Sequence, residues 1–195
     1  MKKFFLRTSV VLDIGCGIHP QTFFIPSVHI CIEPFGQYRK IIKPYFPNPC
    51  EFIFLKEDAL SSIRALDDNS VDTVFMVDLI EHLEKKDGLI LLKEADRVAR
   101  KQIIVFTPLG FYPMHFKEEG QKDAWGLNGN DLQEHKSGWL PEDFGGGWDF
   151  HICEDCHEAF LPEEKAAGKK YSALMAIKTK RFSGFDVMEE TPKFV

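Results

Sequence analysis

The sequence predicts an α/β fold, a doubly wound parallel sheet with helices on both faces. Three observations predict it. Short apolar runs near 10–12, 28–32, 51–55, 71–77 and 103–107 alternate with helical-period or turn-rich segments. The first run ends in an acid and passes at once into Gly15-Cys16-Gly17, the kind of strand-to-glycine turn at which an open α/β sheet presents its ligand crevice. The chain has 195 residues, enough for one domain with a sizeable core. A single domain over 1–195 is therefore expected, with a long loop at 108–138 and a polar tail after 180.

Composition narrows the function classes. The hydrophobic fraction of 44% belongs to a globular chain. A formal net charge of -6 weighs against a protein whose main business is gripping nucleic acid. No run approaches a membrane-spanning length. The basic, apolar start at 1–7 resembles a signal-peptide opening, but the next apolar run ends in Asp13 without a cleavage-like site. Of the five cysteines, Cys16, Cys31 and Cys50 are scattered singly. That is no disulfide framework, so a reducing cytoplasm is expected.

The first strand, the apolar run that ends in Asp13 before the glycine turn, leads to the ligand question. A dinucleotide fingerprint needs a third glycine, and Pro20 occupies its place. Asp13 would repel a pyrophosphate but suits a cationic amino group. S-adenosylmethionine (SAM) carries an ammonium and a sulfonium and no phosphate. The second strand, 28–33, ends in Glu33, 20 residues after Asp13, where nucleotide folds place an acid for ribose hydroxyls. A solvated acid at a strand end is the plainer reading. Pro34 opens a helix, and Phe35, Tyr38, Ile41, Ile42, Tyr45 and Phe46 recur on one face before the break at 47–49.

The third strand is 51–55. Asp58 heads a short helix at 59–66, as an N-cap, as an acceptor for an adenine amino group, or both. The fourth strand is 71–78, and its tip carries the polar cluster Asp78-Leu79-Ile80-Glu81-His82. A helix follows at 88–99, then the fifth strand at 103–107. The segment 108–138 is long, rich in Gly, His and aromatics, and without clear period, as functional loops are. A short helix at 139–144 and two strands, 148–153 and 172–179, complete the chain. His151, Cys153, Cys156 and His157 form a possible zinc cluster, with reduced surface thiols as the alternative.

The stretch 11–17, Glu33, Asp58 and Asp78-Leu79-Ile80-Glu81-His82-Leu83 resemble, in order and spacing, the motifs of class I SAM-dependent methyltransferases, most closely the type 11 group. The resemblance spans roughly 9–108, and 133–144 resembles bacterial members of unassigned substrate. It implies a seven-stranded, mostly parallel sheet whose last strand is antiparallel and inserted beside the fifth. It implies SAM held by Asp13, Gly15, Cys16, Gly17, Glu33, Asp58, Ala59 and Asp78. The family usually has Gly where this chain has His19. Only 1–8 precede the first strand, so a lid over the acceptor falls to 108–138.

In-line transfer from a sulfonium chiefly needs alignment and exclusion of water, with a base only where the nucleophile sheds a proton. Glu81, His82 and His135 are the candidates, with His115 beside them. The expected reaction is methylation of a small molecule or sugar precursor. The alternatives are a non-catalytic SAM-binding protein and a metal-assisted RNA 2′-O-methyltransferase. The latter arises because Asp78-x-x-Glu81-His82 with His135 resembles the metal-holding pattern of small-RNA 3′-end methyltransferases. A zinc-like ion would need His135 within about 2.0–2.1 Å, a tight demand on a flexible segment. No metal is therefore expected.

Overall fold

The computed structural model describes residues 5–42, 50–116, 122–123, 126–128 and 130–180. Seven strands form one sheet in the order β3-β2-β1-β4-β5-β7-β6. They are β1 (Val10–Ile14), β2 (Val28–Ile32), β3 (Glu51–Leu55), β4 (Val71–Val77), β5 (Ala99–Pro108), β6 (Asp149–Glu158) and β7 (Lys170–Thr179). The first five pair in parallel. β7 runs antiparallel between β5 and β6, as the resemblance implies. The order reverses between β1 and β4, so their carboxyl ends open a crevice at Gly15 and Asp78.

The buried runs explain the strands. Leu12 and Ile14 face one side of β1, where they join Val74, Met76, Ile103 and Val105 in the main core. The other side differs from expectation. The connection between β1 and β2 contains no helix. Pro20 and Pro26 interrupt it, and its aromatics do the covering. Phe23 and Phe24 pack with Phe5 over Val11, Phe75 and Ile104. Further out, Tyr38 and α1 (Arg39–Ile42) lie over Cys31, Phe52 and Phe54. Two helices cover the main core: α2 (Ala59–Arg64) and α3 (Lys85–Val98), the latter through Leu91, Leu92, Ala95 and Val98. A single turn, α4 (Asn130–Gln133), lies within the long segment after β5.

Several boundaries moved. Only one turn of the predicted Pro34 helix falls within the described residues; Tyr45, Phe46 and the break at 47–49 lie outside them. α3 starts at Lys85 and passes directly into β5, because Ala99 already pairs with Val71 across a register shift. β6 and β7 are longer than predicted, since their hairpin continues past a register shift to His157 and Glu158. It is closed by α5 (Pro162–Ala166).

Asp72, at the start of β4, ties the sheet together. Its buried carboxylate accepts from the N–H groups of Ser9 and Val10, 3.1 Å each, and pairs with Arg100 at 2.9 Å and Lys101 at 3.2 Å. Burial alone would raise its pKa. The Lys101 hydrogen bond, the Val10 N–H and the two cations outweigh burial and hold it below the usual carboxylate range. The sign follows: this stabilisation is complete above the ordinary carboxylate pKa and is lost as pH falls through the folded value. Asp72→Ala should cost about 1.5–3 kcal/mol at neutral pH, as for hydrogen bonds to a charged group, and much less in acid. Urea unfolding at both pH values checks this; an equal loss at both would show that the charge is not involved.

Gly88 gives a test of opposite intuition. In an exposed helix Ala is better than Gly by about 1 kcal/mol. Here an added Cβ would lie 2.4 Å from Cζ2 of Trp139. Gly88→Ala should therefore destabilise, by about 1–3 kcal/mol as overpacking does. Thermal unfolding decides the sign.

Candidate active site

The crevice begins at Gly15 and Gly17, with φ of 66° and 52°. Any Cβ on Gly15 would stand 2.5 Å from Leu79 Cδ1, so β1 and the β4 tip meet only across a glycine. A Cβ on Gly17 would meet nothing within 4 Å, so its backbone faces open space. Cys16 shares the turn, but its side chain is buried among Cys31, Tyr38 and Ile42.

Asp13 is 1% exposed and lies beneath the turn rather than at its mouth. Its Oδ2 accepts from the Gln21 N–H at 2.8 Å and is hydrogen-bonded to His29 Nε2 at 3.1 Å. The carboxylate thus folds the connection back under β1. Glu33 is buried too. Its carboxylate accepts from the Gly17 N–H at 3.1 Å and the Phe35 N–H at 2.9 Å. Burial raises its pKa, and the two N–H groups partly offset this. Glu33 therefore braces the glycine turn. Asp58 is the N-cap of α2, accepting from the Ser61 N–H at 2.9 Å, and this bond lowers its pKa. Ala59 opens that helix, packed against the core.

Asp78 occupies the tip of β4 with a φ of 47°, a left-handed conformation that a non-glycine residue holds only at some cost. It is open to solvent yet walled by protein, as on the lining of a cleft, and desolvation by those walls pushes its carboxyl up to about 6. The 3-10 turn Ile80–His82 follows. Glu81 is 2% exposed, and burial and then the neighbouring Asp78 charge raise its pKa well above the usual range. One oxygen of Glu81 accepts from Thr107 Oγ1 at 2.9 Å.

His135 arrives from the other end of the chain. Its own N–H donates to Met114 O at 3.1 Å. The next two N–H groups, of Lys136 and Ser137, donate to Glu81 O at 2.7 and 3.1 Å. Ser137 Oγ donates to Ile80 O and accepts from Trp139 Nε1. Trp139 is fully buried, and Lys85 clamps it, with Nζ 3.9 Å from the ring centre and bonded to Gly138 O and Asp143. His135 is thus pinned to the turn that carries Glu81. The His82 and His135 rings meet edge to face, 4.8 Å between centres. Burial lowers both to about 4, with each ring's Nδ1 held by a carbonyl: Glu134 O for His82, Tyr112 O for His135.

The structure therefore brings Glu81, His82 and His135 together, with one ligand atom of each within 4.8 Å of the others. Asp78 stands outside that trio at the crevice, and His115 turns to Glu134 at 3.1 Å. The expected flexible segment is tied at further points: Tyr38 Oη donates to Asp123, and Gln133 donates to Tyr38 Oη, each at 2.9 Å. Within 108–138, residues 117–121, 124–125 and 129 lie outside the described residues. The zinc reading of the distal cluster is corrected: Cys153 and Cys156 are joined in a disulfide, so their sulfurs are not thiolate ligands. The reduced-thiol reading fails there too; only Cys16, Cys31 and Cys50 are free. Sequence reasoning missed Thr107, Ser137 and the Trp139 anchor. The run Ser137-Gly138-Trp139 was the available signal, since an added Cβ on Gly138 would lie 2.6 Å from Phe111 N.

Residues 12–106 match the family model described as a methyltransferase domain. No curated protein matches the chain. Among solved structures, a SAM-dependent methyltransferase from Methanosarcina mazei is similar, with a TM-score of 0.58, 16% identity and coverage of 92% of this chain and 93% of that one. Magnesium protoporphyrin IX methyltransferase from Synechocystis, solved with S-adenosylhomocysteine, gives a TM-score of 0.51 at 13% identity, covering 88% and 75%. The [4+2]-cyclase SpnF gives 0.54 at 17% identity, covering 89% and 76%. At such identities these likenesses show the fold. No helix among the described residues is long and apolar enough to cross a membrane. The chain is thus similar to a methyltransferase domain over residues 12–106, just under half its length, and shares the fold of solved SAM-dependent methyltransferases.

Proposed function

We propose that the protein methylates a small-molecule acceptor, at an oxygen or nitrogen presented to Glu81, His82 and His135. The observation that carries this is the meeting of those side chains, from distant parts of the chain, beside the open glycine turn. An acidic crevice, with Asp58 and Asp78 exposed and Glu33 buried against the glycine turn, and a net charge of -6 support a small acceptor over RNA. The single-domain reading is kept; Cys16, Cys31 and Cys50 are free, as in a reducing cytoplasm, while the Cys153–Cys156 disulfide weighs against that compartment.

The residues fit the cofactor. Gly15 and Gly17, both at positive φ, allow close approach of backbone, and the Gly17 backbone faces open space that a ligand can occupy. Glu33, bonded to the Gly17 N–H, offers an acceptor for ribose hydroxyls, while Asp58 and Ala59 offer the adenine wall. Cys16 contributes its backbone. Asp13 acts beneath the turn through Gln21, and Asp78 offers a carboxylate to the ammonium end. Bound there, SAM supplies a methyl group already activated by its sulfonium. The protein aligns the acceptor in line with it, excludes water and handles the proton that the acceptor sheds. Glu81, His82 and His135 orient the acceptor's polar group.

Calorimetry with SAM, S-adenosylhomocysteine and NAD tests the cofactor; tight NAD binding without a SAM signal would sink the reading. Glu33→Ala should weaken SAM by about 1.5–3 kcal/mol. Glu33→Gln, which keeps an oxygen for the Gly17 N–H, should lose less. The acceptor is found by incubating labelled SAM with fractionated cell extract and identifying the labelled product. With that acceptor, His135→Ala should lower turnover at least tenfold while SAM affinity stays within twofold. Loss of SAM binding instead would assign His135 to the cofactor site.

A further inference from the structure

We infer that Glu81, His82 and His135 bind a divalent first-row transition cation. The inference rests on the methyltransferase reading only for the ion's use, not for its binding. Three facts point to an ion. First, a carboxylate and two imidazoles converge, one ligand atom of each within 4.8 Å of the others, the donor set of a borderline cation. Second, the tautomers are dictated. A backbone carbonyl can only accept, so Nδ1 of His82 carries its proton toward Glu134 O, and Nδ1 of His135 toward Tyr112 O. Each Nε2 is left with a lone pair. This is how ligating histidines are held, the second nitrogen donating to a carbonyl. Third, Glu81 is oriented in its turn by Thr107 Oγ1 at 2.9 Å.

The expectation of a metal-free site assumed that a flexible segment would have to deliver His135. That premise fails, because the Glu81 carbonyl itself holds the residues after His135. The other donor cluster, Asp13, His29 and Cys31, is less suited. There the carboxylate already accepts from Gln21 and joins His29 beneath the turn. An ion held by three protein ligands keeps an open coordination position, which an acceptor oxygen would take as a further ligand. Its charge would lower the pKa of an acceptor O–H, and the proton released would pass to water. Such a site selects hydroxyl acceptors, above all those able to chelate through two adjacent oxygens.

The test is titration of chelator-treated full-length protein with cobalt(II) chloride, without SAM or acceptor, followed by absorption and calorimetry. One ion per chain is expected, with ligand-field bands of a nitrogen and oxygen site. Glu81→Gln and His135→Ala should each abolish it. Thr107→Val, which removes only the hydroxyl that orients Glu81, should weaken it about 10–100-fold. Because the first two variants could misfold, histidine-ring NMR of the unaltered protein is read in parallel. Cobalt should broaden the His82 and His135 signals selectively. No saturable binding, broadening centred on other histidines, or unchanged binding in the variants would each overturn the inference. SAM binding without ion binding would remove the ion and keep the methyltransferase; ion binding without SAM binding would do the reverse.

Discussion

The site depends on one contact between two distant pieces of backbone. The Glu81 carbonyl accepts from two successive N–H groups, of Lys136 and Ser137. A main-chain carbonyl has two lone pairs, and here both are used. Ser137 Oγ adds a bond to Ile80 O, and Trp139 buries the largest side chain in the core behind it. The polar contact alone would be worth little in water. Burial of the indole against Gly88 excludes water from it and makes the geometry persistent.

That docking explains why charged and ionisable groups can gather where they do. Glu81 is buried, and an unpaired buried carboxylate is costly. Thr107 Oγ1 offsets part of that cost, and the raised pKa of Glu81 expresses the rest. His82 and His135 are kept neutral by the same burial, each held by a carbonyl in one orientation. On the cofactor side the same logic recurs with backbone partners. Glu33 spans from the end of β2 to the Gly17 N–H, and Asp13 holds Gln21 beneath the turn. The acids read as ligand-binding groups thus also shape and hold the turn.

The sheet was largely legible from the chain. Apolar runs ending in Asp13, Glu33 and Asp78 marked strands and their carboxyl ends, because parallel strands buried on both faces read as continuous apolar segments. The helix absent after β1 was not legible, since its substitute is a proline-broken stretch whose phenylalanines do a helix's covering. Nor was the hairpin of β6 and β7 at full length, where pairing resumes after a register shift. The cysteines misled in the same way: spacing offered Cys153 and Cys156 to a metal, and their approach in the hairpin joins them to each other.

Local chemistry determined which residues could act. Glycines at positive φ, acids at strand tips and a Glu-His pair after β4 are short-range facts, set by backbone freedom and strand geometry. The partner of that pair was beyond such reasoning. His135 lies more than fifty residues further on, and its place depends on Trp139 finding the gap left by Gly88. That fit is a matter of side-chain volume between elements remote in sequence. Only the packed structure decides it, and with it whether three potential donors remain scattered or become a site.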